Sequence, residues 1–286
     1  MCAVDVVHFN FGEPLFPIPW GIHGAPAAIA RALALRDLAL LHMLGRRIVV
    51  TFQGDDARQA TVGGRLVEAV PERYTPDLDA ARRRTIAAFD RYAHAIFFLN
   101  PDLAAVLPDR ASFLPYANVD PDEWVVCPEE SDGPPLVVHA PSDPRVKGTD
   151  HVAAAISSLE ATGVPLRFEL LHGISRTAVR SALERSAIVV DQLNAGWYGG
   201  LAVEAMALGK PVVAALDLLE HPCLPRELRR DVPVVDASAE TLAARLSELL
   251  ASVEERRRLG SAGRSFVERW HDPRKIARTV VATYYG

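Results

Sequence analysis

A strand, a glycine-rich turn, a helix and a second strand follow one another near residue 200, and this order constrains the fold most. Ile188-Val189-Val190 is an apolar run suited to a buried parallel strand, and good helix formers follow at 201–208. Gly209 can take the left-handed conformation that ends a helix. Pro211 then begins the next strand, where a missing N–H is tolerated. The stretch predicts a parallel α/β architecture.

The turn before this helix has features of a phosphate site. Gly199-Gly200 lets the backbone approach a ligand closely, and the free N–H groups at a helix start can bind a diphosphate. Glu204 lies about one turn inside the helix, where its carboxylate can accept two ribose hydroxyls. An ordinary βαβ turn with a solvated glutamate is the alternative, since glycine-rich turns before helices are weak signals.

Size and charge exclude several classes of protein. A chain of 286 residues with 49% apolar content can bury two modest cores, so we expect two domains. The net charge of −5 argues against nucleic acid or an anionic membrane surface as a partner. No apolar run is long enough to span a bilayer, and the N-terminus lacks the pattern of a signal peptide, which predicts a soluble cytoplasmic protein. The three cysteines are widely spaced and are expected to be reduced bystanders.

Strands alternate with helices in both halves of the chain. Strands are expected at 5–9, 48–52, 95–99, 112–114, 136–140, 167–171, 188–190 and 232–235. Helices are expected at 25–44, 79–94, 151–161, 175–184 and 273–285, with one or two more within 239–270. Residues 118–135 are rich in proline and acidic side chains, as in a linker between domains. The pattern predicts two Rossmann-like parallel-sheet domains, 1–125 and 133–270, facing a cleft, with ligands beyond the carboxyl ends of the strands.

The loop after the strand at 136–140 contains two cations. Arg145 and Lys147 stand two residues apart just before Thr149, where a helix begins. Both could lie against a diphosphate bound at Gly199-Gly200, where a guanidinium and an ammonium would offset the charge that grows as the phosphate leaves. Two exposed loop charges are the alternative.

Two motifs in this half carry a family resemblance. Lys147-Gly148-Thr149 follows a loop with Ser142, and Glu-Ala-Met-Ala-Leu-Gly-Lys-Pro-Val stands at 204–212. Together they resemble the donor half of family 4 retaining glycosyltransferases, which have the GT-B fold. The similarity covers most of residues 136–215 and extends weakly to Gly54-Asp55-Asp56, which resembles an HG-x-D segment, and to 119–124. It implies a nucleotide-diphosphate sugar bound mainly by the second domain, an acceptor between the domains, and a last helix, 271–286, that returns to the first domain.

The resemblance also implies roles for single residues. Arg145 and Lys147 match the pair that neutralises the donor diphosphate, and Glu204 matches the glutamate that holds the ribose; these three form the expected catalytic set. The other expected donor-binding residues are Ser142, His172, Gly173, Asp191, Gln192, Tyr198, Gly199, Gly200 and Leu201. For His172 a structural loop role is an equal alternative. The acceptor-side candidates are His8, Asn10, Gly12, Gln53, Asp55 and Asp56. Neither a cofactor nor a metal is expected, because the Asp-x-Asp strings at 77–79 and 120–122 fall outside the predicted cleft.

The sequence departs from the family pattern in four places. Gly196 stands where the family's first motif glutamate is expected, so a carboxylate for the donor sugar is missing. Gln53 and Asn10 replace histidines, and amides do not titrate near neutral pH. The first domain looks shortened at its N-terminus, which would leave a sheet edge that a second copy of the chain, another chain or a loop could cover.

These observations predict a glycosyltransferase that moves a sugar from a nucleotide diphosphate to a small-molecule or lipid-like acceptor with retention of configuration. The alternative is a catalytically impaired, glycosyltransferase-like protein that binds a nucleotide sugar or a partner chain without transfer. A related enzyme that transfers a non-sugar group is a third reading. The nucleotide base, the sugar and the acceptor are not specified by the sequence.

Overall fold

The protein forms two compact units in a computed structural model that describes residues 4–18, 29–30, 32–129 and 133–285. The first unit comprises Met1–Val67, Pro71–Leu114 and Ala277–Gly286, and the second comprises Glu68–Val70 and Pro115–Ile276. Each unit contains one parallel sheet, which confirms the predicted α/β class. Much of the first half of the helix expected at 25–44 lies outside the described residues.

The first unit has a four-stranded sheet in the order β1-β2-β3-β4. Its strands are β1 (Val6–Asn10), β2 (Arg47–Phe52), β3 (Ala95–Phe98) and β4 (Ser112–Phe113). The helices are α1 (Arg36–Met43), α2 (Arg65–Ala69) and α3 (Pro76–Tyr92), with 3₁₀ turns at Pro71–Arg73 and Pro101–Ala105. The apolar residues of β2 are buried because the strand pairs on both sides, with β1 and with β3.

Helix α3 begins three residues before the predicted position, and its first residues explain why. The Thr75 hydroxyl accepts a hydrogen bond from the Leu78 N–H, and Pro76 occupies the first helical position, where no N–H is needed. Phe89, near the other end of α3, packs edge-to-face against Phe9 and Phe52. These ring contacts fix the helix against β1 and β2.

The second unit has a five-stranded sheet in the order β6-β5-β7-β8-β9. Its strands are β5 (Leu136–His139), β6 (Arg167–Leu170), β7 (Ile188–Val190), β8 (Val212–Ala214) and β9 (Val235–Asp236). The last strand starts later than the predicted 232–235 because Pro233 has no N–H to give to a ladder. The three inner strands, β5, β7 and β8, are completely buried, and every residue in them is apolar except His139 at the end of β5.

Short connections join these strands to the helices of the second unit. The helices are α4 (Pro144–Lys147), α5 (Thr149–Ala161), α6 (Arg176–Arg185), α7 (Gly200–Ala207), α8 (Arg226–Asp231), α9 (Leu242–Ala251) and α10 (Val253–Phe266), followed by one π-helical turn, Val267–His271. Gly209 has φ of 74°, which confirms the predicted left-handed stop after α7. The turns at the carboxyl ends of β5, β6, β7 and β8 bring the candidate residues of this unit together.

The proline-rich segment expected to be a linker packs on the second unit. Arg256 donates two hydrogen bonds to the Glu129 carboxylate, at 2.8 and 2.9 Å, and the buried Lys210 ammonium donates to the Pro128 carbonyl at 2.9 Å. Arg264 donates to the carbonyls of Pro121 and Ala207, both at 2.9 Å. Residues 118–129 are therefore fixed by cationic side chains of this unit rather than solvated.

The chain ends in helix α11 (Pro273–Tyr285), whose residues from Ala277 onward belong to the first unit. The Tyr284 hydroxyl lies 2.7 Å from His8 Nδ1 of β1, and Arg47 donates to the Thr283 carbonyl. Across residues 4–18, 29–30, 32–129 and 133–285, no helix has the length and apolar character needed to cross a membrane.

Candidate functional site

Lys147, at the end of α4, lies against the turn that leads into α7. Its ammonium donates to Asp191 Oδ1 at 2.8 Å and to Gln192 Oε1 at 2.7 Å. The other oxygen of Asp191 accepts from the Gly199 N–H at 2.6 Å. A Cβ on Gly199 would lie 3.1 Å from the Lys147 nitrogen, a tight contact, so the ammonium lies close to the backbone at the helix start. The loop after β5 and the turn after β7 thus meet in one cluster.

This cluster retains hydrogen-bonding capacity for an anion. A lysine ammonium has three donors, and Asp191 and Gln192 take two of those on Lys147. The Gly199 N–H is occupied by Asp191, so the donors that α7 itself offers begin at Gly200 and Leu201. The positive end of the helix dipole adds to the third Lys147 donor. A phosphate group is the kind of ligand that such donors bind.

Arg145 differs from Lys147 in its environment. Its side chain is exposed, whereas Lys147 is only 9% exposed, and residues two apart on a helical turn point to different sides. Asp143 caps α4 by accepting from the Arg145 N–H at 3.0 Å, and the Arg145 carbonyl accepts from Asn194 at 2.8 Å. The backbone at Arg145 is therefore well fixed, and the role of its guanidinium at a diphosphate stays a prediction.

Glu204 is held by two residues that the sequence did not single out. Arg176, at the start of α6, donates to Glu204 Oε1 at 2.7 Å, and Asn118 donates to the same oxygen at 3.4 Å. Asn118 also donates to the Gly200 carbonyl at 3.0 Å. The Glu204 carboxylate is largely buried, with 12% of the side chain exposed, while 71% of the Arg176 side chain is exposed. In the sequence Arg176 looks like an ordinary charged residue on the surface of a helix. Its ion pair with Glu204 becomes visible only in the folded structure.

The loops after β5 and β6 are tied together at the same edge of the sheet. The His172 ring donates from Nδ1 to the Pro141 carbonyl at 3.0 Å, next to the exposed Ser142. Gly173 has φ of 71°, a conformation that suits glycine. The observed hydrogen bond gives His172 a structural role in this loop. Contact of His172, Gly173 or Ser142 with a nucleotide stays a prediction.

The side chain of Tyr198, in the turn before α7, is held by a hydrogen bond to a buried histidine. Its hydroxyl donates to His271 Nε2 at 3.1 Å, and His271 Nδ1 donates to the Tyr116 carbonyl at 2.8 Å. Burial lowers the pKa of His271 to about 4, and it raises the pKa of the Tyr198 phenol well above its usual value. Both groups are therefore neutral at pH 7, and the Tyr198 side chain supports the turn from inside the core. His271 belongs to no sequence motif and could not have been found from spacing.

A second buried histidine supports the loop that holds Lys147. His139, the last residue of β5, donates from Nδ1 to the Val190 carbonyl at 2.9 Å and accepts at Nε2 from the Thr149 hydroxyl at 2.9 Å. Burial lowers its pKa, so the ring stays neutral and both hydrogen bonds persist at pH 7. His139 thereby joins the ends of β5 and β7 to the first residue of α5.

Most of the acceptor-side candidates in the first unit are used in internal hydrogen bonds. The Asp56 carboxylate accepts from the backbone N–H groups of Gly12, Gln53 and Gly54, at distances from 2.7 to 3.1 Å. The Gln53 amide donates to Asn10 Oδ1 at 2.8 Å. A Cβ on Gly12 would lie 2.2 Å from the Phe52 ring, so packing alone requires this glycine. These contacts give Asp56 and Gly12 structural roles.

Asp55 belongs to an ion network. Burial alone would raise its pKa, but the charge of Arg58 and hydrogen bonds from Tyr74 and Arg58 outweigh that effect and lower it. Asp55, Asp56 and Gly12 nevertheless line one pocket of about 400 Å³ in the first unit, together with Pro14, Leu78 and Arg82. This pocket is large enough to be considered for an acceptor, and binding of an acceptor there stays a prediction.

His8 is hydrogen-bonded at both ring nitrogens. Nδ1 contacts the Tyr284 hydroxyl at 2.7 Å, and Nε2 contacts the Thr51 hydroxyl at 2.8 Å. Burial lowers the pKa of His8, so the imidazole is neutral near pH 7. Within the described part of the chain, no group of three or more His, Cys, Asp or Glu side chains is arranged to hold a metal ion.

Two α/β units, each built on a single parallel sheet, are the architecture of the GT-B fold, and comparison with solved structures shows that the chain has this fold. A sucrose-phosphate synthase from Thermosynechococcus elongatus superposes with a TM-score of 0.65 at 16% identity, over 98% of this chain and 73% of the other. WaaG, a glycosyltransferase involved in lipopolysaccharide biosynthesis, gives 0.59 at 14% identity, over 94% and 86%. HepE of Anabaena in complex with UDP-glucose gives 0.58 at 13% identity, over 87% and 77%.

Sequence comparison adds no closer assignment. No family model matches the chain, and no curated protein matches it. The structural likenesses lie well below 25% identity, so they establish the fold and leave activity to be argued from the site.

Proposed function

We propose that this chain is a glycosyltransferase that takes its sugar from a nucleotide diphosphate. The observation that carries the proposal is the pairing of the Lys147 ammonium with Asp191 and Gln192 close to the backbone at the start of α7. A cation and helix N–H groups at the carboxyl edge of a parallel sheet form a site for a diphosphate. UDP is the first nucleotide to test, because HepE, which shares the fold, was solved with UDP-glucose.

In this proposal the residues of the second unit act mainly on the leaving group. The bond between the sugar's anomeric carbon and the diphosphate oxygen breaks, and negative charge grows on the diphosphate. The third Lys147 donor and the N–H groups of Gly200 and Leu201 stabilise that charge without reorganising, because the turn is already fixed by Asp191 and Tyr198. Glu204, held by Arg176, is placed to accept the ribose hydroxyls. The acceptor oxygen bonds to the anomeric carbon, and its proton passes to the departing diphosphate.

Retention of configuration, independence from metal and a small-molecule or lipid-like acceptor belong to the same proposal. They are supported by the resemblance of residues 136–215 to retaining glycosyltransferases and by the cationic donor loop, which can offset leaving-group charge without a metal ion. The pocket beside Gly12, Asp55 and Asp56 is the part of the first unit proposed to receive the acceptor.

A second candidate function is binding of a nucleotide sugar without transfer. The Gln53 amide bonds to Asn10 at the end of β2, and neither side chain can take up a proton. Gln53 and Asn10 stand at the two positions where the resemblance to family 4 glycosyltransferases implies histidines. The observation favours a protein that keeps the nucleotide site but has lost acceptor-side chemistry.

Two measurements test the proposal and separate the candidates. Titration calorimetry with UDP, GDP, ADP and dTDP measures nucleotide binding by the wild type and by the control variant Lys275→Ala, which removes a lysine outside the Lys147 cluster. We expect one of these nucleoside diphosphates to bind the wild type and Lys275→Ala with equal affinity. Incubation with the matching nucleotide sugars then measures release of nucleotide. Release that depends on an added acceptor supports transfer, whereas binding without release supports the second candidate. Absence of binding to all four nucleotides contradicts both.

A further inference from the structure

Gly196, on the turn between β7 and α7, cannot carry a side chain without strain. Its φ is 65°, in the left-handed region that other residues adopt at a cost. A Cβ built on this glycine would lie 3.1 Å from Asp217 Oδ2 and 3.4 Å from the Asp217 Cβ. The space into which a side chain at 196 would point is therefore already bordered by the carboxylate of another loop.

Asp217 belongs to the loop after β8, and the backbone around it is fixed to neighbouring turns. The Ala215 N–H donates to the Gln192 carbonyl at 2.9 Å, and the Leu218 N–H donates to the Gly196 carbonyl at 3.0 Å. The Leu216 N–H donates to Asp236 Oδ1 at 2.9 Å. The backbone is held on both sides of Asp217, while the Asp217 side chain itself is exposed to solvent.

The position of this carboxylate relates it to the proposed diphosphate site. β8 pairs directly with β7, so the turns at the carboxyl ends of both strands share one edge of the sheet, where ligands of such sheets bind. Gly196 lies on the same short turn as Gly199, whose backbone lies close to the Lys147 ammonium. A group attached to a diphosphate on Gly200 and Lys147 has the Gly196–Asp217 surface beside it.

We propose that Asp217 is a specificity residue that recognises the transferred sugar of the donor. An ionised carboxylate only accepts hydrogen bonds and has two oxygens, so it suits two adjacent sugar hydroxyls. Such charge-assisted hydrogen bonds are about twice as strong as neutral ones. The same charge disfavours a sugar that carries a carboxylate of its own. Asp217 thus supplies, from the β8 loop, a carboxylate in place of the glutamate that the family resemblance implies at residue 196. This inference rests on the proposed function.

The test compares a nucleotide sugar with the bare nucleotide in the same variant. Asp217→Asn keeps the size and turn-forming capacity of the side chain and removes its charge. Titration calorimetry measures the dissociation constants of UDP-glucose and UDP, or of GDP-mannose and GDP if the wild type binds guanine nucleotides. We expect Asp217→Asn to raise the dissociation constant of the nucleotide sugar about tenfold and to change that of the nucleotide less than about twofold. Glu220→Gln, an exposed carboxylate in the same loop that pairs with Arg229, is the matched control and should change neither.

The outcomes separate this assignment from the proposed function. An equal loss of affinity for both ligands would show that Asp217 only holds the loop, and no loss for the nucleotide sugar would show that it does not touch the sugar; either result overturns the assignment and leaves the nucleotide site intact. Wild-type protein that binds neither nucleotide overturns the proposed function itself.

Discussion

Removal of the Lys147 ammonium should affect folding as well as ligand binding, and the structure allows the two effects to be separated. Lys147 is 9% exposed and Asp191 is fully buried, so the two charges neutralise each other away from water. Lys147→Met preserves most of the side-chain volume but leaves the Asp191 carboxylate uncompensated. Breaking a buried pair in this way costs about 3–5 kcal/mol of unfolding free energy. The single variant alone is therefore a poor test of nucleotide binding.

The double variant Lys147→Met/Asp191→Asn removes both charges. An asparagine at 191 can still accept from the Gly199 N–H through its amide oxygen, so the turn before α7 keeps its support. The double variant should be destabilised less than the sum of the two single variants by roughly 0.5–3 kcal/mol, the usual coupling between residues in one network. Urea unfolding of the wild type, both single variants and the double variant measures this coupling.

Comparison of nucleotide binding by the folded double variant with that by Asp191→Asn then isolates the ammonium. Loss of one hydrogen bond from a charged donor to a phosphate should weaken binding by about 1.5–3 kcal/mol, which corresponds to roughly a tenfold to 150-fold rise in the dissociation constant. Two results would refute the reasoning. A double variant destabilised by the full sum of the two single variants would mean that the pair is not coupled. A double variant that binds nucleotide like Asp191→Asn would mean that Lys147 does not touch the phosphates.

Three further variants test other parts of the structure. Glu204→Gln should weaken nucleoside-diphosphate binding by about 1–3 kcal/mol in calorimetry, with the exposed Glu160→Gln as control, and unchanged affinity would exclude a ribose contact. The pKa of His271 is about 4 in the folded protein and 6.5 in the solvated side chain. As the pH falls from 6.5 to 4, only the unfolded chain therefore takes up a proton at His271, and the free energy of unfolding of the wild type should drop by about 3 kcal/mol. His271→Gln should flatten this dependence in urea unfolding, and parallel curves would contradict it. His8→Gln should lower kcat less than about tenfold, because both ring nitrogens of His8 are hydrogen-bonded within the protein; a loss of about a hundredfold or more, as expected for a general base, would contradict this.

The sequence predicted local structure well wherever one residue type determines it. The strand at 188–190 has the predicted bounds, and Gly209 ends α7 with the expected positive φ. The start of α3 was missed because a capping Thr75 and Pro76 outweighed the apolar pattern used to place it. These are interactions between residues close in the chain, which explains why a single sequence contains them.

Contacts between residues that are distant in the chain could not be predicted from the sequence. Asn118 and Arg176 reach Glu204 from two different segments, and His271 reaches Tyr198 from a π-helical turn. Asp217 meets Gly196 only because β8 pairs with β7. Nothing in the local pattern around these residues marks them, since each contact joins segments that are far apart in the chain. The sheet order β6-β5-β7-β8-β9, which brings Asp217 to Gly196, is not determined by the spacing of strands along the chain.

The state of the acceptor-side residues bears on how a proton could leave the acceptor. Asp56 uses its carboxylate on three backbone N–H groups, and Asp55 is paired with arginines, so taking a proton would cost either residue these interactions. Gln53 and Asn10 cannot take one, and both nitrogens of His8 are already hydrogen-bonded. We infer that, if transfer occurs, the departing diphosphate is the group that accepts the proton. Catalysis would then depend on how well the second unit stabilises that diphosphate, and we expect variants of the Lys147 cluster to lower kcat more than variants of His8, Asn10, Gln53, Asp55 or Asp56.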